Sequence, residues 1–118
     1  MPRRYRTILV VEDDTDVREV TADVLREAGG TVVEAADGAE ALTKLDELQG
    51  PCLILLDLVM PRMDGLEFLK RLQAHPHATD FSVVVMTARP DLAVPGGLGV
   101  LLKPIDLNQL LALLGKPT

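Results

Sequence analysis

Cys52-Leu53-Ile54-Leu55-Leu56-Asp57 sets five apolar residues in a row directly before a carboxylate. No uninterrupted apolar run in the chain is longer, and five residues cannot cross a bilayer. Leu53 to Leu56 reads as a strand without polar alternation, the pattern of a strand covered on both faces. Similar segments lie on either side of it. Toward the N-terminus, Ile8–Val11 and Thr31–Ala35 read as strands. Between them Val17, Val20, Val24 and Ala28 recur at helical spacing, and Gly29-Gly30 stops that helix. Asp37 with Glu40 forms a cap signal before Ala41, Leu42, Leu45 and Leu48. Toward the C-terminus, Asp64 and Glu67 repeat that signal around Leu66, Leu69 and Leu72. Phe81–Met86 and Leu98–Leu102 follow as strands. Asp106 caps a last helix carrying Leu107, Leu110, Leu111 and Leu114, which Gly115 ends.

Apolar strands alternating with amphipathic helices predict an α/β fold, a doubly wound five-stranded parallel sheet with helices on both faces. One stretch breaks the rhythm. Ala88 to Gly97 holds Pro90, Pro95, Gly96 and Gly97, which leaves no room for a full helix. Helix four, in the crossover to the fifth strand, is therefore expected to be truncated or absent.

The 118 residues predict a single domain over 1–118. Apolar residues are 47% and charged residues 25%, the mix of a folded globule rather than a disordered tail. The net charge of −6 argues against nucleic-acid partners, because phosphate contacts need clustered cations. Arg3, Arg4 and Arg6 precede no apolar segment of signal-peptide length, and no membrane partner is expected. The single cysteine, Cys52, cannot form an internal disulfide and is expected to pack as a small apolar residue. That usage fits a reducing cytoplasm.

In open α/β sheets, ligands bind beyond the carboxyl ends of the strands. The residues there are Glu12, Asp13 and Asp14 after strand one, Asp57 after strand three, Thr87 after strand four and Lys103 after strand five. If strands one and three are neighbours, Glu12, Asp13 and Asp57 converge. Three carboxylates that close repel one another by several kcal/mol, so one protonates or a divalent cation sits between them. An oxygen-only set suits Mg²⁺. A carboxylate facing Mg²⁺, a lysine and a hydroxyl is arranged to receive a phosphoryl group.

The runs ILVVEDD (8–14), LLDLVMPRMDG (55–65), MTA (86–88) and KP (103–104), in this order, resemble the receiver domain of two-component response regulators. The resemblance covers nearly the whole chain. It implies a flavodoxin-like strand order 2-1-3-4-5. It makes Asp57 the phosphoacceptor, with Thr87 and Lys103 holding the phosphoryl oxygens. Glu12, Asp13, Asp57 and the Val59 carbonyl would hold Mg²⁺. A cis Lys103-Pro104 peptide would aim the lysine into the site. The implied partner is a sensor histidine kinase or phosphotransfer protein. The chain would catalyse only its own phosphorylation and dephosphorylation, and would be no enzyme toward an external metabolite.

Two departures carry expectations of their own. Receivers usually place an aromatic residue where this chain has Val100, which cannot act as a rotating ring. With the crossover shortened as well, the chain is expected to be a monomer or a weak dimer not using the helix four, strand five and helix five face. Val59 and Arg89 flank the path of hydrolytic water in the family, and an apolar Val59 implies slow self-dephosphorylation. Only Gly115 to Thr118 follow the last helix, which suits either a stand-alone receiver or a piece of a larger protein such as a hybrid kinase.

Competing readings are weaker on stated residues. An interaction module that works without phosphorylation would keep the pocket but not the transfer. A Mg²⁺-dependent phosphatase commonly has a second Asp two residues after its nucleophile, where this chain has Val59. A flavin binder needs a hydroxyl-rich first loop, and Glu12, Asp13 and Asp14 would repel its phosphate. His75 and His77 read as an exposed loop, since no cysteine or carboxylate cluster completes a zinc set.

Overall fold

The computed structural model describes residues 7–48, 51–58, 65–76, 78–88 and 99–112. Five strands, β1 (Thr7–Val11), β2 (Thr31–Ala35), β3 (Cys52–Asp57), β4 (Phe81–Thr87) and β5 (Gly99–Leu102), pair in parallel in the order β2-β1-β3-β4-β5. Four α-helices are described: α1 (Thr15–Glu27), α2 (Gly38–Leu45), α3 (Gly65–Gln73) and α4 (Leu107–Ala112). A 3₁₀ turn at Ala78–Asp80 leads into β4. The parallel doubly wound fold and its strand order thus match the expectation. The shortened crossover falls at 89–98, outside the described residues, as do the Asp64 cap and the Gly115 stop.

Side chains alternate across each strand, and the two core layers follow that alternation. Leu9, Val11, Cys52, Ile54, Leu56 and Val85 pack with α2 and α3 residues such as Leu45, Phe68 and Leu72. Ile8, Val10, Leu53, Leu55, Met86 and Leu101 pack on the other side with Leu25 of α1 and Leu110 of α4. All six residues of β3 are buried, as its unbroken apolar run required. Cys52 is buried among apolar residues, and burial pushes its thiol up to about 11.

Asp37 and Asp106 cap helices as their signals in the sequence indicate, and Asp14 caps α1. Asp14 Oδ1 accepts the Val17 amide at 3.1 Å, and Asp106 Oδ1 accepts the Asn108 and Gln109 amides at 2.7 and 3.2 Å. Asp37 Oδ1 accepts the Glu40 amide at 2.8 Å, while the Glu40 carboxylate reaches back to the Ala36 amide at 3.1 Å. Such a cap contributes about 1 kcal/mol. Helix α1 ends with the Gly29 amide on the Arg26 carbonyl and the Gly30 amide on Leu25, with Gly29 at φ +99°. Only a residue without Cβ adopts that conformation cheaply.

The helix read from the spacing of Val17, Val20, Val24 and Ala28 is present as α1, which buries Thr21, Ala22 and Leu25, while Val17 and Val20 are 36% and 60% exposed. Periodicity gives the pitch of the apolar stripe, while docking on the sheet selects the face. One reading needs correction. His75 is not free in a loop. Its Nε2 lies 3.1 Å from Asp46 Oδ1, and its ring meets Phe81 edge-on at 5.5 Å. His77 lies outside the described residues.

Candidate functional site

The alternation that sorts the core also builds the site. Glu12 continues the Ile8, Val10 side of β1, Asp57 the Leu53, Leu55 side of β3, and Lys103 the Leu101 side of β5. All three belong to the face covered by α1 and α4, at the carboxyl end of the sheet. The ladder runs on beyond the strands to hold them. The Glu12 amide donates to the Ala35 carbonyl at 3.0 Å, and the Lys103 amide to the Thr87 carbonyl at 2.9 Å. The Lys103-Pro104 peptide is cis.

Carboxylate oxygens of Glu12, Asp13 and Asp57 lie within 4.8 Å of one another. Glu12 and Asp57 are buried, and Asp13 is exposed. Lys103 Nζ donates to Glu12 Oε1 at 2.5 Å and to Asp57 Oδ2 at 3.3 Å, so one ammonium is shared between two carboxylates. Burial, aided by a hydrogen bond with Asp57, pushes Glu12 up to about 7 despite Lys103 beside it. For Lys103, burial alone would lower the pKa, but the bond to Glu12 and the charges of Asp57 and Glu12 outweigh it and raise it. Thr87, the last residue of β4, is buried and pairs in register with Leu102, next to Lys103 in the chain.

The structure therefore brings together Glu12, Asp13, Asp57 and Lys103, with Thr87 tied to Lys103 through the backbone. Val59 and Arg89 lie outside the described residues. Ala88 is exposed and lines a mainly apolar groove of about 610 Å³ beside the site. Val17, Val20, Ile105 and Leu110 share that groove with Lys103, which accounts for the exposure of the two valines. Sequence reasoning missed Arg18 and Glu34, which hold the first acidic loop. An arginine one helical turn past a cap and a lone glutamate inside a strand gave no motif to find them by.

An oxygen-only acidic pocket at the carboxyl edge of a parallel sheet defines a class, the doubly wound α/β proteins that gather charge at their strand ends. Its family follows from comparison: the response regulator receiver domain model matches residues 8–115, and the chain belongs to that family of two-component signalling domains. The phosphate regulon transcriptional regulatory protein PhoB of Escherichia coli is 43% identical over 84 residues, covering 71% of this chain and 36% of PhoB. The transcriptional regulatory protein PdtaR of Mycobacterium tuberculosis is 36% identical over 118 residues, covering 94% of this chain and 54% of PdtaR. The chain thus spans only part of these relatives. Among solved structures, the receiver domain of the hybrid histidine kinase CckA superposes with a TM-score of 0.75 at 37% identity, over 88% of this chain and 91% of that one. The Vibrio cholerae chemotaxis protein CheY4 superposes with a TM-score of 0.81 at 29% identity, over 94% and 97%. Among the described residues, no helix is long and apolar enough to cross a membrane.

Proposed function

We propose that this domain, a single unit over 1–118 working in the cytoplasm, accepts a phosphoryl group on Asp57 from the phosphohistidine of a sensor histidine kinase or phosphotransfer protein. The observation that carries the reading is the convergence of Glu12, Asp13 and Asp57 under one lysine. The donor set fits Mg²⁺: it is oxygen-only, anionic, and open to water at Asp13. Glu12, Asp13 and Asp57 would hold the ion, with the Val59 carbonyl as the family's further ligand. When bound, Mg²⁺ supplies positive charge to the phosphoryl oxygens and lowers the repulsion within the cluster.

The residues of the chain do the remaining work. An Asp57 carboxylate oxygen attacks phosphorus, the bond from phosphorus to the donor imidazole nitrogen breaks, and the imidazole leaves with that electron pair. Lys103 is held by two carboxylates within reach of the acceptor oxygen and turns to the phosphoryl oxygens as charge arrives there. The Thr87 hydroxyl supplies a neutral donor at the end of the neighbouring strand. The product is an acyl phosphate on Asp57, and its hydrolysis restores the starting carboxylate. No external metabolite is turned over.

The test is incubation with acetyl phosphate and Mg²⁺ followed by intact-mass measurement. The mass of one phosphoryl group should appear on the unsubstituted chain and be absent from Asp57→Asn and from reactions containing a chelator. An unmodified chain under these conditions, or equal modification of Asp57→Asn, would overturn the assignment.

A further inference from the structure

Glu12 is held at four points. Its amide donates to the Ala35 carbonyl at 3.0 Å, and its Oε2 accepts the Asp14 amide at 3.4 Å. Its Oε1 accepts Lys103. Its main-chain carbonyl accepts Nη1 of Arg18 at 3.0 Å. That last contact comes from a residue outside the pocket. The Arg18 side chain is only 16% exposed, and its Nε lies 3.3 Å from Glu34 Oε1. Glu34 is itself fixed: Arg26 Nη2 donates to its Oε2 at 3.1 Å, and Lys44 Nζ donates to its carbonyl. A guanidinium is a planar fork with its donors at set angles, so anchoring one edge on Glu34 fixes where the other edge points. The fork thereby ties the Glu12 carbonyl to β2, directly before Asp13.

We infer that Arg18, braced by Glu34, is a positioning residue for the cation site, holding the Glu12-Asp13 segment where both carboxylates face Asp57. The inference rests on the reading of Glu12, Asp13 and Asp57 as Mg²⁺ ligands. Ligands to a metal depend on the groups that orient them, and losing such a group weakens binding by about tenfold or more.

Charge makes the test sharp. Arg18 is a cation on the far side of an acidic pocket, so by electrostatics alone its removal would tighten Mg²⁺ binding. As a positioning residue its removal weakens it. A purely structural role lowers the unfolding temperature and leaves Mg²⁺ affinity as it was.

Mg²⁺ affinity is measured by calorimetry on the full chain and on Arg18→Met, which keeps an apolar stem, on Arg18→Lys and on Glu34→Gln. The expected result is about tenfold weaker binding for Arg18→Met. Arg18→Lys, which reaches one acceptor but not both, should fall between it and the unsubstituted chain. Arg18→Lys keeps the charge and loses the fork, so charge alone predicts no change for it, and it carries the test if Arg18→Met does not fold. Glu34→Gln should weaken binding as well, both by loosening Arg18 and by removing an anion, so it is read only beside the two Arg18 variants. Unchanged or tighter binding by Arg18→Met, or by Arg18→Lys in its place, overturns the inference alone. An unsubstituted chain that binds no Mg²⁺ overturns it together with the metal-site reading.

Discussion

Lys103 Nζ stands 2.5 Å from Glu12 Oε1, closer than its 3.3 Å to Asp57 Oδ2. The lysine is committed more to Glu12 than to Asp57, the proposed acceptor, and it occupies oxygens that the proposed Mg²⁺ would claim. Lys103→Met should therefore tighten Mg²⁺ binding while slowing phosphoryl acceptance by about a hundredfold, the usual loss when one donor to a developing oxyanion is removed. The variant should also lose about 2 kcal/mol of stability at pH 8 without metal, since two buried carboxylates lose their partner. Calorimetry, acetyl-phosphate kinetics and urea unfolding read the three effects.

Glu12 makes stability depend on pH in a defined direction. Its folded pKa is raised from 4.5 to about 7. Between those values the folded state keeps a proton that the unfolded chain has released, so this group favours folding at low pH. Its contribution declines as pH rises through that window, by about 3 kcal/mol in all. Under the proposed assignment Mg²⁺ would bind the ionised form, so its affinity should rise over the same range. Urea unfolding without metal at pH 5 and pH 8 should show a larger decline for the native chain than for Glu12→Gln. Equal declines would count against the assignment.

The outer edge of β2 is guarded by side chains. Arg26 Nη2 donates to the Val32 carbonyl at 3.2 Å, and Lys44 Nζ donates to the Glu34 carbonyl on the same edge. Occupied carbonyls and positive charge blunt a strand edge against pairing with another chain. Replacing both residues with serine should cost about 1 kcal/mol, because the Arg26 contact is exposed and the Lys44 contact only partly buried. It should raise light scattering on heating. Unchanged scattering would show that the edge needs no guard.

At the opposite edge, β5 exposes Val100 and Leu102 at 44% and 52%. The domain is expected to remain a monomer or a weak dimer that does not use this face. Sedimentation of the unphosphorylated chain and of Leu102→Asp should give the same mass. A two-fold dimer abolished by Leu102→Asp would reverse this expectation.

How far the sequence could be read varies by residue, and each difference has a cause. Asp57 was legible because an unbroken apolar strand ends on it, and Asp37 and Asp106 because caps are local chemistry. The spacing of Val17 and Val20 gave the helix but not its docking, because a 3.6-residue period does not say which side of the helix meets the sheet. His75 was misread because its partner Asp46 is 29 residues away.

By itself the sequence determined which segments are strands and helices, where the helices capped by Asp37 and Asp106 start, and which charged residues stand at strand ends. Those are consequences of periodicity, capping and turn chemistry over a few neighbours. Only the tertiary structure decided that Lys103 reaches across 91 residues to Glu12, and that Arg18 fastens the acidic loop to Glu34. Such contacts depend on strand order and register, and pairing β1 between β2 and β3 is what brings the three carboxylates and their braces to one edge.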